Sequence, residues 1–520
     1  MIGRWRLVTW AAVFFGGCGG GSTPVVADGM AALPSSVVRQ GQTDITLTID
    51  RSAGGLASPS RLDLGDVVAT LRAGSSDRRL VLALEVPHGA AAGRRTLQVS
   101  TAAGELVFPD ALEVTAITAG PAGADDSIGS AGAPFRSLKK ALAVAGTDDT
   151  IQLLDGAYNT DGGEVWNYQT PAQLSLVGQS QAGTVLAGSA GGDGPTAAAA
   201  TIGLRPAGGL TLRSLSMTGF GSAISVEAPA VLTLEDVRLA DNQGDAVEVG
   251  AAAVGSTLTL QGKTWTISGA GAGVSVAAPQ TTVSLQSGAI QVGGDGVTLG
   301  PQCTGCLVNV DQTVITSGGA DNHALRIVAQ GTPLGTKTTV TAATLNGDIY
   351  VDDATGTASV TGTRITEAFD NNGVFFNGTL LTMKDSQIAV STLYYGVQLQ
   401  DGMMSLSGVT IDGGTYGIYH SAGTAALRNT TIKNFSFVGY YLSMGDLDLG
   451  TKDDTGGNAF VAPDSGYGLY VARLGEAKPV TCSNTSFNGE TPAAGDVTGA
   501  VDDKGHYFIN VGEVVSFSVR

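Results

Sequence analysis

The fold is decided by a repeat that is complete within YGIYHSAGTAALRNTTIKNFSFVGYYL, residues 416–442. Ile418 and Tyr440 are the first apolar residues of two segments that read small residue, apolar, any, apolar. Leu427 lies between them, and Ile432 follows Leu427 by five positions. Short alternating segments of this kind are typical of β-strands and lack the 3.6-residue period of a helix. Each repeat therefore predicts two or three short strands and no helix.

The same unit recurs along the chain from about residue 205. The first apolar residues of the small–apolar–any–apolar segments are spaced by 21 to 29 residues, at Ile224, Val247, Val274, Val297, Leu325, Ile349, Val374, Val397, Ile418, Tyr440 and Leu469. An interleaved second series is Leu212, Leu234, Leu260, Leu285, Val310, Val340, Val360, Met383, Leu406, Leu427 and Leu449. One such coil cannot bury its inward residues alone, so it must stack on the next. The spacing predicts a single-stranded parallel β-helix of about 11–13 coils.

The first coil of such a stack needs a cover, because an open parallel edge recruits other chains. Residues 133–158, APFRSLKKALAVAGTDDTIQLLDGAY, predict a capping helix near 137–145 followed by the first strand. Ser137 is placed to be the helix N-cap. Its spacing from Lys140 resembles the nucleophile motif of penicillin-binding proteins, but the companion motifs Ser-Asp-Asn and Lys-Thr-Gly are absent. We therefore expect a structural role for both residues.

Residues 30–117 have a different rhythm, with alternating strands and turns every 8 to 12 residues. This pattern predicts an N-terminal β-sandwich. The segment VPHGAAAGRRTLQVSTAAGE, residues 86–105, resembles the strand–turn–strand end of immunoglobulin-like IPT/TIG domains. The resemblance implies a spacer or interaction module, in which His88 is a turn residue.

The N-terminus reads MIGRWRLVTWAAVFFGGCGGGSTP, residues 1–24. Two arginines precede a short apolar run, which is the layout of a secretory signal and is too short to span a bilayer. FGGC resembles a bacterial lipobox, so we expect a signal peptide over 1–17, acylation of Cys18 and a flexible tether over 18–29. An ordinary signal peptide with a chance cysteine is the alternative. The expected location is the outer membrane, with the protein periplasmic or surface-exposed.

The charge of the chain restricts the kinds of molecule that it is expected to bind. The net charge is −18 and only 14% of the residues are charged, which disfavours nucleic acid and leaves the lipid anchor as the contact with a membrane. Cys303 and Cys306 form one CxxC motif without a second pair or a nearby histidine. In an exported protein this spacing favours a disulfide over zinc, so no metal and no cofactor are predicted.

The chain also resembles a known bacterial family. GADDSIGSAGAPFRSLKKALAVAGTDDTIQLLDGAY, residues 123–158, is similar to the opening of the β-helix family called domain of unknown function 1565. DLGTKDDTGGNAF, residues 448–460, is similar to a late element of such chains. The resemblance implies an all-β, right-handed, pectin-lyase-like β-helix over 120–520, after the sandwich. It implies no activity.

A pectin-lyase-like fold raises the hypothesis of a polysaccharide lyase or glycoside hydrolase acting on extracellular polysaccharide. Such enzymes need clustered acids with a base, or two facing carboxylates. Asp352–Asp353 and the run Lys452–Asp454 lack His and Arg-Ile-Lys partners, so we expect them in solvated turns. His420 occupies an inward position of the repeat and is expected to be a hydrogen-bonded core residue. No catalytic residue is predicted, and whether the chain is an enzyme stays open, with a non-catalytic role favoured.

Binding has a clearer signal. Residues that follow the first apolar residue of each coil should point outward. In the C-terminal half this outward column is rich in aromatic residues, namely Tyr350, Phe375, Tyr419, Tyr441 and Tyr470. Glycines two residues earlier, as at Gly417, would leave open surface beside each ring. The column predicts either a platform for sugar rings or a ladder that stabilises the β-helix. The expected function is thus an exported, lipid-anchored surface protein that is structural or binds an extracellular polysaccharide or cell-surface glycan.

Overall fold

A computed structural model describes residues 25–26, 31–32, 37–188, 201–319, 321–366, 372–391, 394–451, 453–462, 467–472, 480–489, 495–498, 500–501, 507–510 and 518–519. The predicted signal peptide 1–17, Cys18 and most of the predicted tether 18–29 lie outside these residues. Within the described part of the chain, no helix is both long and apolar enough to cross a membrane. The chain divides into two compact units, Met1–Val38 with Gln42–Thr115, and Arg39–Gly41 with Ala116–Arg520.

The first unit is built from two small sheets. Its strands are β1 Val25–Val26, β2 Ala31–Ala32, β3 Val37–Arg39, β4 Ile45–Asp50, β5 Arg61–Asp63, β6 Val68–Leu71, β7 Arg79–Glu85, β8 Gly93–Thr101 and β9 Gly104–Thr115. One sheet has the order β1-β9-β8-β5 and the other β2-β4-β7-β6. Along β4 every second residue is buried, as the alternating sequence predicts. Leu47, Leu82 and Leu97 are among the residues that form this unit's own core.

The second unit is a parallel β-helix of about 13 coils, and this confirms the predicted fold class. Each coil supplies one short strand to each of three faces. Face A contains Ile117–Ala119, Thr150–Leu153, Leu174–Gly178, Leu210–Arg213, Val231–Glu235, Thr257–Gln261, Thr282–Gln286, Leu307–Asp311, Lys337–Thr341, Thr357–Thr361, Thr424–Arg428, Asp446–Leu449 and Val480–Cys482. Two long strands, Val374–Lys384 and Tyr395–Ser407, bend from face C into face A.

Faces B and C complete each coil. Face B contains Gly156–Tyr158, Thr184–Ala187, Ser216–Thr218, Arg238–Asn242, Thr266–Gly269, Ala289–Val292, Val314–Thr316, Thr344–Asn346, Arg364–Thr366, Gln387–Val390, Thr410–Gly413, Thr431–Lys433, Ala459–Val461 and Ser486–Phe487. Face C contains Tyr168–Thr170, Ile202–Pro206, Ser222–Val226, Val247–Val249, Val274–Val276, Val297–Leu299, Leu325–Val328, Ile349–Asp352, Tyr416–His420, Val438–Leu442 and Tyr467–Val471, together with the first parts of the two long strands.

The two apolar series of the sequence are the inward residues of faces C and A. Ile224 is in register with Val247 on face C, and Leu212 is in register with Leu234 on face A. All four side chains are buried in one continuous core. The stack is therefore held together by columns of like residues, each of which packs on its neighbour one coil away.

The five-position spacing between Leu427 and Ile432 predicts that Trp265, five positions after Leu260, faces inward on face B, and this prediction is wrong. Ile267, rather than Trp265, pairs with Leu239 and takes the inward position. Trp265 is buried beside it, and its indole N–H donates to the carbonyl oxygen of Gln286 at 2.6 Å. Ile267 follows Leu260 by seven positions rather than five, so two extra residues precede the face B strand in this coil.

The first coil is covered by the predicted helix α1, Leu138–Val144. Ser137 is its N-cap, as predicted, and its hydroxyl accepts from the backbone N–H of Lys140 at 3.1 Å. The Glu164 carboxylate accepts from the N–H groups of Leu138 and Lys139 at 2.7 and 3.1 Å. These acceptors satisfy the free N–H groups of the first turn, so the Ser-x-x-Lys spacing reflects capping.

The last coil is followed by strands of opposite direction. Gly495–Thr498 pairs antiparallel with Val480–Cys482, and Tyr507–Asn510 pairs antiparallel with Tyr467–Val471. Ala500–Val501 and Ser518–Val519 extend this antiparallel end. In the part of the β-helix that the structure describes, strand pairing thus changes from parallel to antiparallel at the C-terminal end of the stack.

The prediction that Asp353 lies in a solvated turn is wrong. Asp353 is buried, and its carboxylate accepts from the N–H groups of Leu334 and Thr336, both at 2.9 Å. Burial by itself would raise the pKa of Asp353. The hydrogen bonds from backbone N–H groups lower the pKa by a larger amount, so the pKa is below its ordinary value. The carboxylate thereby joins two successive turns between faces C and A, because Leu334 and Thr336 lie in the turn of the preceding coil.

Three further expectations concern polar residues. Asp454, within the run expected to be a solvated turn, is exposed but accepts from Arg428 Nε at 2.8 Å. The prediction for His420 is confirmed, because it is fully buried and its Nδ1 lies 2.8 Å from the hydroxyl of Tyr440. His88 lies in an exposed turn of the first unit.

Candidate functional site

Face C carries the predicted column of outward residues in register. The column runs through six consecutive coils as Tyr350, Phe375, Gln398, Tyr419, Tyr441 and Tyr470. All six side chains are half-buried. The five aromatic residues predicted from the sequence therefore share one line on the surface, and Gln398 separates the first two from the last three.

The rings of this column stack on one another. Tyr419 and Tyr441 are 5.0 Å apart between ring centroids with 4° between their planes, and Tyr441 and Tyr470 are 5.3 Å apart at 7°. Tyr350 and Phe375 are stacked at 4.5 Å. The face of each ring is turned toward the ring on the neighbouring coil, along the axis of the β-helix, so the ring edges point to solvent. This is the geometry of the ladder alternative, since an outward platform would expose ring faces.

A second aromatic column lies beside the first, and the sequence reasoning missed it. Tyr395 is in register with Tyr416, and Tyr467 lies two coils beyond Tyr416. Tyr416 precedes a buried glycine and a buried isoleucine, so two consecutive residues point inward and the strict alternation fails. The signal was available in the tyrosine that opens each YG segment of the repeat.

The two columns together form one surface patch in the last four coils of face C. We call it the tyrosine cluster, and its residues are Tyr395, Tyr416, Tyr419, Phe437, Tyr441, Tyr467 and Tyr470. Tyr416 meets both Tyr419 and Tyr441 edge-on, at 5.6 and 5.4 Å between centroids. Phe437 is 44% exposed, which makes it the most open ring of the patch.

The phenolic hydroxyls of the cluster are available to a ligand. Within the described residues, the hydroxyls of Tyr395, Tyr416, Tyr419 and Tyr441 have no hydrogen-bond partner in the protein, and none of these oxygens is buried. Burial of the rings, followed by the proximity of neighbouring tyrosines, raises the pKa of Tyr416, and the pKa values of Tyr395 and Tyr441 rise for the same reasons. The hydroxyls of Tyr395, Tyr416 and Tyr441 are therefore neutral donors and acceptors at neutral pH.

The glycines before the rings do not leave open surface, so that expectation is wrong. Gly417 is buried, and a Cβ atom there would overlap Cγ2 of Ile432 and lie 2.6 Å from the carbonyl oxygen of Gly439. Gly373 and Gly396 meet isoleucines of the following face B strand in the same way. The glycines allow the chain to turn tightly from face B into face C, and they serve packing.

A polar group lies on the same face, N-terminal to the first aromatic pair. The Asp348 carboxylate is 1% exposed and lies 2.8 Å from Nδ1 of His323. Asp348 occupies the corner position that is glycine in later coils, which is why its side chain is buried. Burial raises the pKa of Asp348, whereas the hydrogen bond from His323 opposes that rise. The His323 ring in turn packs on Tyr350 at 4.9 Å between centroids.

Charged and amide side chains extend this polar group along face C. Arg326 lies on the same coil as His323 and is 3.8 Å from the carboxylate of Asp295, which belongs to the preceding coil. Asn372 donates to the side-chain oxygen of Gln398 at 2.9 Å. The order along the helix axis is therefore a charged segment, an aromatic pair, an amide pair and the tyrosine cluster.

The cysteines and the metal prediction concern other parts of the molecule. Cys303 and Cys306 are joined by a disulfide with an S–S distance of 2.13 Å, in the turn between faces C and A. Burial raises the pKa of the Cys482 thiol to about 11. Across the residues that the structure describes, no group of three or more His, Cys, Asp or Glu side chains is arranged to hold a metal ion.

Comparison with known proteins gives a family match for part of the chain. Residues 121–318 match the family described as Protein of unknown function (DUF1565). This segment covers the N-terminal coils of the β-helix and ends before the tyrosine cluster. No curated protein matches the sequence at a significant level.

Several solved structures align with the chain at low similarity. The catalytic domain of a GH87 alpha-1,3-glucanase in complex with nigerose is 10% identical, with a TM-score of 0.36 over 89% of this chain and 95% of that one. The catalytic unit of the thermostable GH87 alpha-1,3-glucanase of Streptomyces thermodiastaticus is 11% identical, with a TM-score of 0.39 over 86% and 94%. The A-module of the Azotobacter vinelandii mannuronan C-5 epimerase AlgE6 is 13% identical, with a TM-score of 0.33 over 65% and 90%.

Proposed function

We propose that this chain is an exported, lipid-anchored protein of the bacterial outer membrane whose β-helix binds an extracellular polysaccharide or cell-surface glycan. The signal-like N-terminus and the lipobox-like FGGC segment support export and acylation at Cys18. The alternating strands of the first unit support an IPT/TIG-like spacer that holds the β-helix away from the membrane. In this proposal the β-helix is a binding module without catalysis.

The tyrosine cluster is the observation that carries this proposal. A patch of six tyrosines and one phenylalanine on one face of a protein that is only 6% aromatic is a concentrated surface feature. Tyrosine combines an apolar ring with a hydroxyl, and this suits ligands that have both C–H surfaces and hydroxyl groups. Carbohydrates are the extracellular ligands with that chemistry.

Electrostatics narrows the class of glycan. The net charge of −18 repels polyanions at a distance, and the seven side chains of the cluster include no lysine, arginine or histidine that could pair with an anionic sugar. The structure therefore supports an uncharged glycan more strongly than a uronate-rich or sulfated one.

A glycan array probed with the full-length chain tests the proposal. We expect retention on uncharged glycans and loss of retention in the double variant Tyr419→Ala/Tyr441→Ala. The matched control is Ser275→Ala/Thr298→Ala, which changes two residues of the same outward column outside the cluster. Equal retention by the two double variants, with unchanged thermal unfolding, would exclude the cluster as the binding site.

Export and anchoring need a separate experiment. We expect metabolic labelling with a fatty-acid analogue to mark the wild-type chain and to fail for Cys18→Ala. The control is Cys482→Ala, because that cysteine lies in the last coil and should leave labelling unchanged. Labelling that persists in Cys18→Ala would contradict acylation at this position.

A catalytic role in polysaccharide cleavage is a second candidate, and the His323–Asp348 pair is the observation that favours it. An imidazole oriented by a buried carboxylate is an arrangement suited to a general base. Incubation with a polysaccharide panel should then release reducing ends or unsaturated products, and His323→Ala should abolish the release. If neither product forms with any polysaccharide that the chain retains, this candidate is excluded and the binding proposal stands.

A further inference from the structure

The geometry of the tyrosine cluster indicates how a glycan would be held, given the proposed glycan-binding function. In the Tyr419–Tyr441–Tyr470 stack the ring planes are parallel within 7° and about one strand spacing apart. The faces of Tyr441 are therefore covered on both sides. A sugar ring cannot lie flat on a face that another ring already covers, so a ligand meets ring edges and hydroxyls.

The hydroxyls have the properties that such contact requires. Those of Tyr395, Tyr416, Tyr419 and Tyr441 reach solvent and have no protein partner within the described residues. A phenolic hydroxyl donates one hydrogen bond and accepts others, which matches the hydroxyls of a sugar. The surface of the cluster thus carries a row of phenolic hydroxyl groups that are open to a sugar.

The spacing of the row sets the direction and the shape of the ligand. The cluster spans four consecutive coils, and its stacked rings repeat at 5.0 and 5.3 Å along the helix axis. This interval is close to the length of one sugar residue in an extended polysaccharide. A chain lying parallel to the helix axis would place one sugar on each coil, whereas a coiled or branched chain would not keep this register.

We propose that the tyrosine cluster binds a linear, uncharged polysaccharide in an extended conformation, parallel to the helix axis with one sugar residue per coil, through hydrogen bonds to phenolic hydroxyls. β-1,4-Linked glucan, mannan and xylan have this chemistry. The absence of charged side chains among the seven residues of the cluster is consistent with the uncharged ligand. The interval between coils acts as the selective element, because it is fixed by backbone hydrogen bonding between strands.

Tyrosine-to-phenylalanine substitution separates hydroxyl contacts from ring contacts. Tyr419→Phe/Tyr441→Phe keeps the stacked rings and removes two hydroxyls that have no protein partner, so folding should be unaffected. We expect this double variant to lose about tenfold or more in affinity for a β-1,4-linked hexasaccharide, because each lost hydrogen bond weakens binding by a factor of a few to about ten. The matched control is Phe375→Tyr, which adds a hydroxyl outside the cluster.

Calorimetric titration with β-1,4-linked glucose, mannose and xylose oligomers of two to six residues tests the register. We expect affinity to increase with each residue up to three, which is the number of coils that carry the hydroxyls of Tyr395, Tyr416, Tyr419 and Tyr441, and then to level off. Unchanged affinity in the phenylalanine double variant would overturn the hydroxyl mechanism. Affinity that does not grow beyond the disaccharide would overturn the parallel register.

The two proposals fail in different ways. If the wild-type chain binds glycans on the array but none of the β-1,4-linked oligomers, the extended-chain inference is wrong and the proposed function stands. If the wild-type chain retains no glycan on the array, the proposed function fails, and the extended-chain inference fails with it.

Discussion

Replacing Gly417 with alanine adds one methyl group to the corner at which face B leads into face C. The added Cβ would overlap Cγ2 of Ile432 and lie 2.6 Å from the carbonyl oxygen of Gly439, one coil away. The backbone of Gly417 is not in the left-handed region, so the conformation itself is open to alanine. The cost of the substitution therefore comes from packing alone.

The magnitude follows from two opposing effects. Overpacking in a close-packed interior lowers the free energy of unfolding by about 1–3 kcal/mol. Replacing glycine by alanine restricts the unfolded chain and raises the free energy of unfolding by about 0.4–1 kcal/mol. We expect a net loss of about 1–2 kcal/mol for Gly417→Ala. The control is Gly132→Ala, where no atom lies within 4 Å of the added methyl group.

Urea unfolding followed by circular dichroism measures the loss, and hydrogen exchange locates it. In a stacked repeat the effect should be concentrated in the altered coil and its neighbours, so amides in residues 416–442 should exchange faster. The test is completed in an Ile432→Ala background, which removes the Cγ2 atom that the methyl group would overlap. There the added cost of Gly417→Ala should be smaller but not zero, because the carbonyl oxygen of Gly439 would still lie 2.6 Å from the added Cβ atom. A loss for Gly417→Ala equal to that for Gly132→Ala, or an undiminished loss in the Ile432→Ala background, would refute the packing argument.

Two further predictions concern buried polar groups. Asp353→Asn should destabilise the β-helix by about 1.5–3 kcal/mol at neutral pH. The carboxylate oxygens accept several hydrogen bonds, and the NH2 group that replaces one of them in asparagine cannot accept any. The pKa of Asp353 is lower in the folded protein, so its contribution to the free energy of unfolding is complete above the ordinary aspartate pKa. That contribution is lost as the pH falls through the folded pKa, and the free energy of unfolding of the variant should therefore depend less on pH than that of the wild type. Tyr440→Phe should cost about 1–2 kcal/mol through loss of the hydrogen bond to His420, and Tyr441→Phe on the outer surface should cost almost nothing, both measured by urea unfolding.

The repeat was sufficient to predict the β-helix because burial imposes the same constraint on every coil. Ile224 and Val247 could be aligned from the sequence, and they occupy equivalent inward positions. The outward column was predicted by alternation from the same residues, and Tyr419 and Tyr441 lie where it placed them. Core residues allow this prediction because each inward side chain must pack against the inward side chain on the neighbouring coil.

The corners of the coils could not be predicted by alternation. At Gly417 and Ile418 two successive residues point inward, which moves Tyr416 to the surface and adds a second aromatic column. Asp348 and Asp353 are buried for a related reason, because backbone N–H groups or a histidine near a turn can replace the solvation of a carboxylate. Such partners come from neighbouring coils, and their positions depend on the three-dimensional register.

The two ends of the β-helix determine how long it can be. A stack of parallel coils has no internal limit, because each new coil presents the edge that the next one needs. In this chain helix α1 covers the first edge, and antiparallel strands such as Gly495–Thr498 change the hydrogen-bonding direction at the last one. Within the described residues, the last parallel strands are therefore paired with antiparallel ones and do not present the free parallel edge that a further coil would need. The tyrosine cluster occupies the coils immediately before this change, and its last strand, Tyr467–Val471, pairs with a parallel strand on one side and an antiparallel strand on the other.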